Sequence, residues 1–372
     1  MDLEQLLRVS SRTFAPGIER LPGKLRWAMT VAYLLLRVSD YLEDNREMSS
    51  RQKVELLCLW DQVLAGEAVL SLWTQQVSFP DEMMPDALVA QHVVRVVDAL
   101  QQLPEEVYVP IVKHVRDSTQ GMARWVARGP LVLTEADLDD YMHEVAGRVG
   151  YLVTELFAWY SRSIRRRMSR LIPLARECGL ALQTVNVVRG LRDDYERGWI
   201  FVPESFCARA SIAREALFDP AHQQQAMQVV DMLADKAERH LQAAMTYFKM
   251  LPPWQHAIRL SCLFPLLLAV RTLAVSRRSY RVLESKAKVG RDEVMQIVRD
   301  STMWGWSNWW VERYARRLAM APACPGRKCT SVQGATCSVE ICFCHCITVR
   351  LAEGRRRRVA ECLAPLDALP FS

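Results

Sequence analysis

The sequence predicts an all-α, single-domain helical bundle. Apolar residues recur at three- and four-residue spacing through 25–42, 54–65, 87–100, 107–126, 138–160, 166–194, 223–250 and 257–283, the period of a helix that buries one face. Strand-like alternation is nearly absent. Proline and glycine fall between the blocks, where they end helices and turn the chain. Block 25–42 follows Leu21-Pro22-Gly23. Block 87–100 follows Phe79-Pro80. Block 107–126 lies between Leu103-Pro104 and Gly129-Pro130, and block 223–250 stops at Leu251-Pro252-Pro253. Eight or more long helices without internal repeats describe one bundle. With 372 residues, half of them hydrophobic, the chain can bury one large core.

Residues 321–372 break the pattern. Seven of the 11 cysteines and the arginine run 355–358 lie there, without any period. The domain boundaries are therefore placed at 1–320 for the bundle and 321–372 for a Cys/Arg-rich tail, expected to be disordered. Cys342, Cys344, His345 and Cys346 fit structural zinc spacing poorly. The net charge of +6 is spread along the chain, and no basic helix or aromatic–basic platform stands out, which argues against a nucleic-acid partner. The longest apolar stretch, 262–270, is far shorter than the roughly 20 residues of a membrane-spanning helix. Residues 1–12 lack the apolar run of a secretory signal. The expectation is a cytoplasmic monomer, peripheral to a membrane at most.

Two polar clusters carry the chemistry. Asp40 and Asp44 end the strongly apolar block 25–42 and, four residues apart, share one helical face. Adjacent carboxylates repel unless a cation neutralises them, and an oxygen site with few protein ligands suits Mg²⁺. Gln183, Asn186, Gly190 and Asp194 follow 3-4-4 spacing and form a second stripe beside Leu182, Val185, Val188 and Leu191. A polar stripe in a buried helix needs partners. Taken alone, either cluster is also what a solvated helix surface looks like. Facing each other across a bundle, they would cage Mg²⁺ and diphosphate.

Five separated motifs then resemble one family, the squalene/phytoene synthases of the isoprenoid synthase fold. Ser11-Arg12-Thr13-Phe14, with Leu21-Pro22 and Arg26, resembles the family's N-terminal substrate flap. Tyr33, Arg37, Asp40 and Asp44 resemble its first aspartate motif. Asp117 with Gly121-Met122 resembles a connecting signature. Tyr141, Val145-Ala146-Gly147 and Val149-Gly150 resemble its central tyrosine helix. Gln183, Asn186, Arg189, Asp194, Arg197, Gly198 and Pro203 resemble its second motif.

The resemblance implies a transferase that joins two isoprenyl diphosphates head to head, farnesyl diphosphate giving presqualene diphosphate and squalene. Mg²⁺ would assist diphosphate release, and NADPH would enter if squalene is the product. By resemblance, Asp40, Asp44, Asn186 and Asp194 are metal-binding. Ser11, Arg12, Arg37, Gln183, Arg189 and Tyr280 are diphosphate-binding, and Tyr33, Tyr141 and Arg37 stand at the reacting centre. Phe14, Leu36, Val145, Leu152, Phe157 and Leu182 are expected in an apolar wall, positions that ordinary core packing would equally explain. Gly147 and Gly150 either leave room for a prenyl chain or let helices approach. The chain departs from the family pattern at Gly190, where Asp is usual, and at Asp193, where Glu is usual. Activity is nevertheless expected, because the other signature positions are filled. Phytoene formation from geranylgeranyl diphosphate, a class I terpene cyclase and a non-catalytic assembly factor are the alternatives.

Overall fold

A computed structural model describes residues 1–11, 13–79, 85–277, 279–285 and 287–321. Arg12 and the tail beyond Ala321 lie outside the described residues, and with them the expectations placed there. The described residues lie within one compact unit, Met1–Cys324. Among them there are helices and turns and no strand.

Local chemistry sets the helix ends. Gly23–Asp44 starts after Pro22 and runs through the core, with Leu25, Val31, Leu34, Leu35, Val38 and Leu42 fully buried. Ser50–Ala65 opens on a capping box between Ser49 and Gln52 and closes on Gly66, whose φ of 75° needs no Cβ. Glu105–Arg128 follows Pro104, with Glu105 and Glu106 in the first turn, where the helix dipole favours acids.

Three predicted blocks are subdivided, block 257–283 into His256–Arg277 and a 3₁₀ turn Tyr280–Leu283. Block 87–100 is Pro85–Gln91 and Val93–Gln101, interrupted at His92. Block 138–160 is Glu135–Met142, a π-helical turn His143–Gly147, and Arg148–Tyr160. Arg291–Trp304 and Asn308–Met320 were not among the eight blocks. Arg291–Trp304 buries only Ile297 and Ser301, too little to print an apolar period.

The centre is Met168–Glu196, packed along Gln223–Met250, Arg148–Tyr160 and His256–Arg277. Two glycines allow this. A Cβ on Gly150 would collide with the carbonyl oxygen of Ala175, and one on Gly179 with that of Ala146. Gly150 therefore serves close helix approach, and it lines the central cavity as well.

His256–Arg277 is long and apolar enough to cross a membrane by length and composition, and 72% of its apolar window is buried inside the bundle. It is longer than the stretch 262–270 because Arg259 and Arg271 belong to it. Both are buried. Arg259 donates to the carbonyl oxygens of Gly305 at 3.0 Å and Leu251 at 2.8 Å and to Asn308 Oδ1 at 2.6 Å. Arg271 pairs with Glu293 at 2.5 Å.

These contacts predict opposite effects at two glycines. Gly150→Ala should cost about 1–3 kcal/mol through overpacking. A Cβ on Gly190 meets only Asp194, at 3.5 Å, so Gly190→Ala should be neutral or gain up to about 1 kcal/mol of helix propensity. Thermal unfolding of the two variants checks the contrast.

Candidate active site

The C-terminal ends of Gly23–Asp44 and Met168–Glu196 meet at one cavity of about 630 Å³. Asp40, Glu43 and Asp44 enter it from the first helix, and Asn186, Arg189 and Asp194 from the second. The remaining wall is apolar, built from Leu152, Phe157, Tyr247, Phe248, Cys262 and Leu266 among others. Polar groups thus collect at the helix ends, and carbon lines the rest.

The charge at that corner is adverse by construction. A helix C-terminus carries about half a negative charge, and both helices add carboxylates to it. Cations answer this. Arg197 donates to Asp44 Oδ1 at 2.6 Å and also to Asp194, so one guanidinium bridges the two motifs. Lys53 donates to the carbonyl oxygen of Glu43 at 2.6 Å, capping the first helix. Arg37 makes a two-pronged pair with Asp86, at 2.9 and 2.7 Å, and contacts Asp40 at 3.0 Å.

Neutralisation is incomplete. Burial pushes the Asp40 carboxyl up to about 6; Arg37 opposes this, and Asp44 and Asp86 add to it. Burial also raises Glu43, with Asp44 and Asp40 reinforcing the shift. Tyr141 opposes this shift. Burial and the surrounding carboxylates, Glu43 first, hold Tyr141 well above its usual range, so it stays protonated. Arg189 is lowered by burial, with Asp193 and Asp194 opposing. Its Nε is buried without a hydrogen-bond partner among the described residues. A desolvated cationic donor at a cavity wall is a ready site for an anion.

The structure brings most of the expected residues to this cavity. Tyr33, Arg37, Asp40, Asp44, Tyr141, Gln183, Asn186, Arg189 and Asp194 all line it, as do the six expected wall residues. Two do not. Tyr280 begins a short 3₁₀ turn after His256–Arg277 and is 56% exposed on the surface. Ser11 is buried and accepts from the backbone N–H of Phe14 at 2.9 Å, an N-terminal turn contact. Tyr33 donates its hydroxyl to the Ser10 carbonyl at 3.0 Å. Asp86 escaped the sequence reading. It is a single acid in the first turn of Pro85–Gln91, and only the fold sets it against Arg37.

The oxygen donors fit Mg²⁺ of a particular kind. Among the described residues no three His, Cys, Asp or Glu side chains come together as a closed metal cage. Mg²⁺ usually takes one or two carboxylates and completes its shell with water and phosphate oxygens, which Asp40 and Asp44 on one side and Asn186 and Asp194 on the other could supply. Arg197→Gln should therefore lower stability without divalent cation by about 1–3 kcal/mol, between exposed and buried ion-pair values. Mg²⁺ should raise the variant's Tm more than the wild type's. A Tm that responds to neither change would show that the bridge holds nothing together.

Comparison with known proteins gives the family. A family profile described as squalene/phytoene synthase matches residues 7–293. The squalene synthase of Mus musculus is 27% identical over 296 residues, 80% of this chain and 68% of that one. The squalene synthase of Schizosaccharomyces pombe is 28% identical over 302 residues, 80% of this chain and 64% of that one. Against the fission yeast protein the chain therefore spans less than two thirds of the relative's length. A solved structure of TcSQS with a bound ligand shares the fold, with a TM-score of 0.71 at 23% identity, covering 86% of this chain and 92% of that one. The profile spans most of the chain, and the protein belongs to the squalene/phytoene synthase family, a family of all-α transferases.

Proposed function

We infer that the protein joins two isoprenyl diphosphates head to head, with farnesyl diphosphate as donor and a C30 product. One observation carries the reading. The acidic ends of two helices converge on a single cavity, close enough for Arg197 to hold both, and that cavity is otherwise apolar.

Each residue group has a task in this chemistry. Bound between Asp40–Asp44 and Asn186–Asp194, Mg²⁺ would neutralise diphosphate as it leaves the prenyl chain. Arg189 offers the uncommitted guanidinium for diphosphate oxygens. Arg37 is held by Asp86 and Asp40, so it orients the Asp40 carboxylate as much as it meets substrate. Tyr141, protonated and stacked on Phe201 with ring centroids 4.5 Å apart, presents an aromatic face and a hydroxyl beside Glu43. Leu152, Phe157, Phe248 and Leu266 keep water from an allylic cation that it would quench. Gly190 lines the cavity beside Asp194, where a water could stand in for the carboxylate usual in the family.

Product analysis tests the reading. With farnesyl diphosphate and Mg²⁺, the expected product is C30, presqualene diphosphate without NADPH and squalene with it. C15 hydrocarbons would identify a cyclase, and turnover of geranylgeranyl diphosphate alone a phytoene-type enzyme. Asp40→Ala or Asp44→Ala should remove turnover while far-UV circular dichroism stays unchanged, and normal rates in either variant would refute the metal assignment. Arg189→Gln should cost about 10²–10³ in kcat, the scale for losing one preorganised donor to a developing anion. An effect on KM alone would place Arg189 in ground-state binding.

A further inference from the structure

Three turns at one end of the bundle are tied together by hydrogen bonds. The turn between Gln223–Met250 and His256–Arg277 carries Trp254. The His256 ring Nε2 lies 2.9 Å from the Thr302 carbonyl oxygen, and Arg259 reaches Gly305 and Asn308. These bonds seat the turn between Arg291–Trp304 and Asn308–Met320 alongside, with Met303, Trp304, Trp306 and Trp309. On the other side, Gln255 Nε2 donates to Ser161 Oγ at 3.1 Å, and Arg167 donates to the Met250 carbonyl at 2.5 Å. That places the segment after Arg148–Tyr160 against the same turn, with Arg162, Arg165, Arg166 and Arg170.

The exposure is unusual for these residue types. Trp254 and Trp309 are each 70% exposed, and Met303, Trp304 and Trp306 between 47% and 61%. Tryptophan normally buries most of its ring, and a contiguous exposed apolar patch marks an interaction site. Arg162, Arg165, Arg166 and Arg170 are exposed as well. Segments 161–176, 252–257 and 301–309 contain no Asp or Glu. The sequence shows no aromatic–basic platform because its parts lie in three distant segments, and the fold assembles one.

We propose that this end of the bundle docks on an anionic lipid bilayer, with the arginines on phosphate headgroups and the tryptophans at headgroup depth. Indole rings favour that boundary, and clusters of four or more basic residues bind anionic leaflets. The position suits the cavity. Phe248 lines it and stacks under the Arg259 guanidinium at 4.1 Å, and Arg259 holds the Trp-bearing turn through Gly305. Phe248 and Arg259 thus connect the cavity wall to the turn that carries Trp304 and Trp306. The docking does not depend on which reaction the cavity performs.

Co-sedimentation of the full chain with phosphatidylcholine vesicles, with and without phosphatidylserine, tests it. The expected result is binding to the anionic vesicles, weakened by salt, with tryptophan fluorescence quenched by brominated lipid. Trp254→Ser with Trp309→Ser, and Arg162→Glu with Arg166→Glu and Arg170→Glu, should each weaken partition by about tenfold or more. These residues are exposed and do not line the cavity, so Tm should hold. No binding by the wild type, or equal partition of all variants, would overturn the proposal. So would a wild-type dimer that the tryptophan changes dissolve without any vesicle binding, or tighter retention on single-stranded RNA than on anionic vesicles.

Discussion

Two helices end in acids and aim their negative ends at each other. Each end combines the negative end of a helix dipole with carboxylates, so the corner calls for cations. Arg197 meets this need across the two motifs, Lys53 at the first helix end, and Arg37 behind Asp40. Even so, burial keeps Asp40 and Glu43 above the ordinary carboxylate range. In the proposed reading the carboxylates would hold the metal and Arg189 the anion. Stability and chemistry draw on the same charges here.

The cavity exists because backbones touch elsewhere. Gly150 lets Arg148–Tyr160, and Gly179 the π-helical turn His143–Gly147, lie directly on Met168–Glu196. That turn directly follows Glu135–Met142, the helix that carries Tyr141. Such turns re-aim side chains and recur at functional sites. Here the turn lets buried Tyr141 face Glu43 while Val145, Ala146 and Val149 still line the cavity. Close packing on one side therefore makes room on the other.

Arg259 links interior and surface. Buried without a carboxylate in contact, it is satisfied by the Gly305 and Leu251 carbonyls, Asn308 and the Phe248 ring. Burial lowers its basicity to about 10, which leaves it charged at neutral pH. It joins the apolar wall of the cavity to the turn bearing Trp304 and Trp306. Whatever meets that turn therefore lies close to the greasy end of the site.

Much was legible in the sequence, because it was local. Helix periods, proline and glycine stops, and the 3-4-4 polar stripe are set by neighbours along the chain, and they announced the helical class and the two polar clusters. The halves of block 138–160, the lightly buried helix Arg291–Trp304, and the exposed place of Tyr280 were not legible, since burial there depends on distant partners; Asn308–Met320, which buries Val311, Tyr314, Ala315 and Leu318, carried a helical period that the eight blocks left out. Asp86 was invisible because a lone acid carries no period, and the Trp/Arg end because its pieces lie in three segments. The sequence alone determined which residues could bind a metal and an anion. Only the tertiary structure decided that they share one cavity, with Arg197 between them, because electrostatic pairing depends on distance in space and not on separation along the chain.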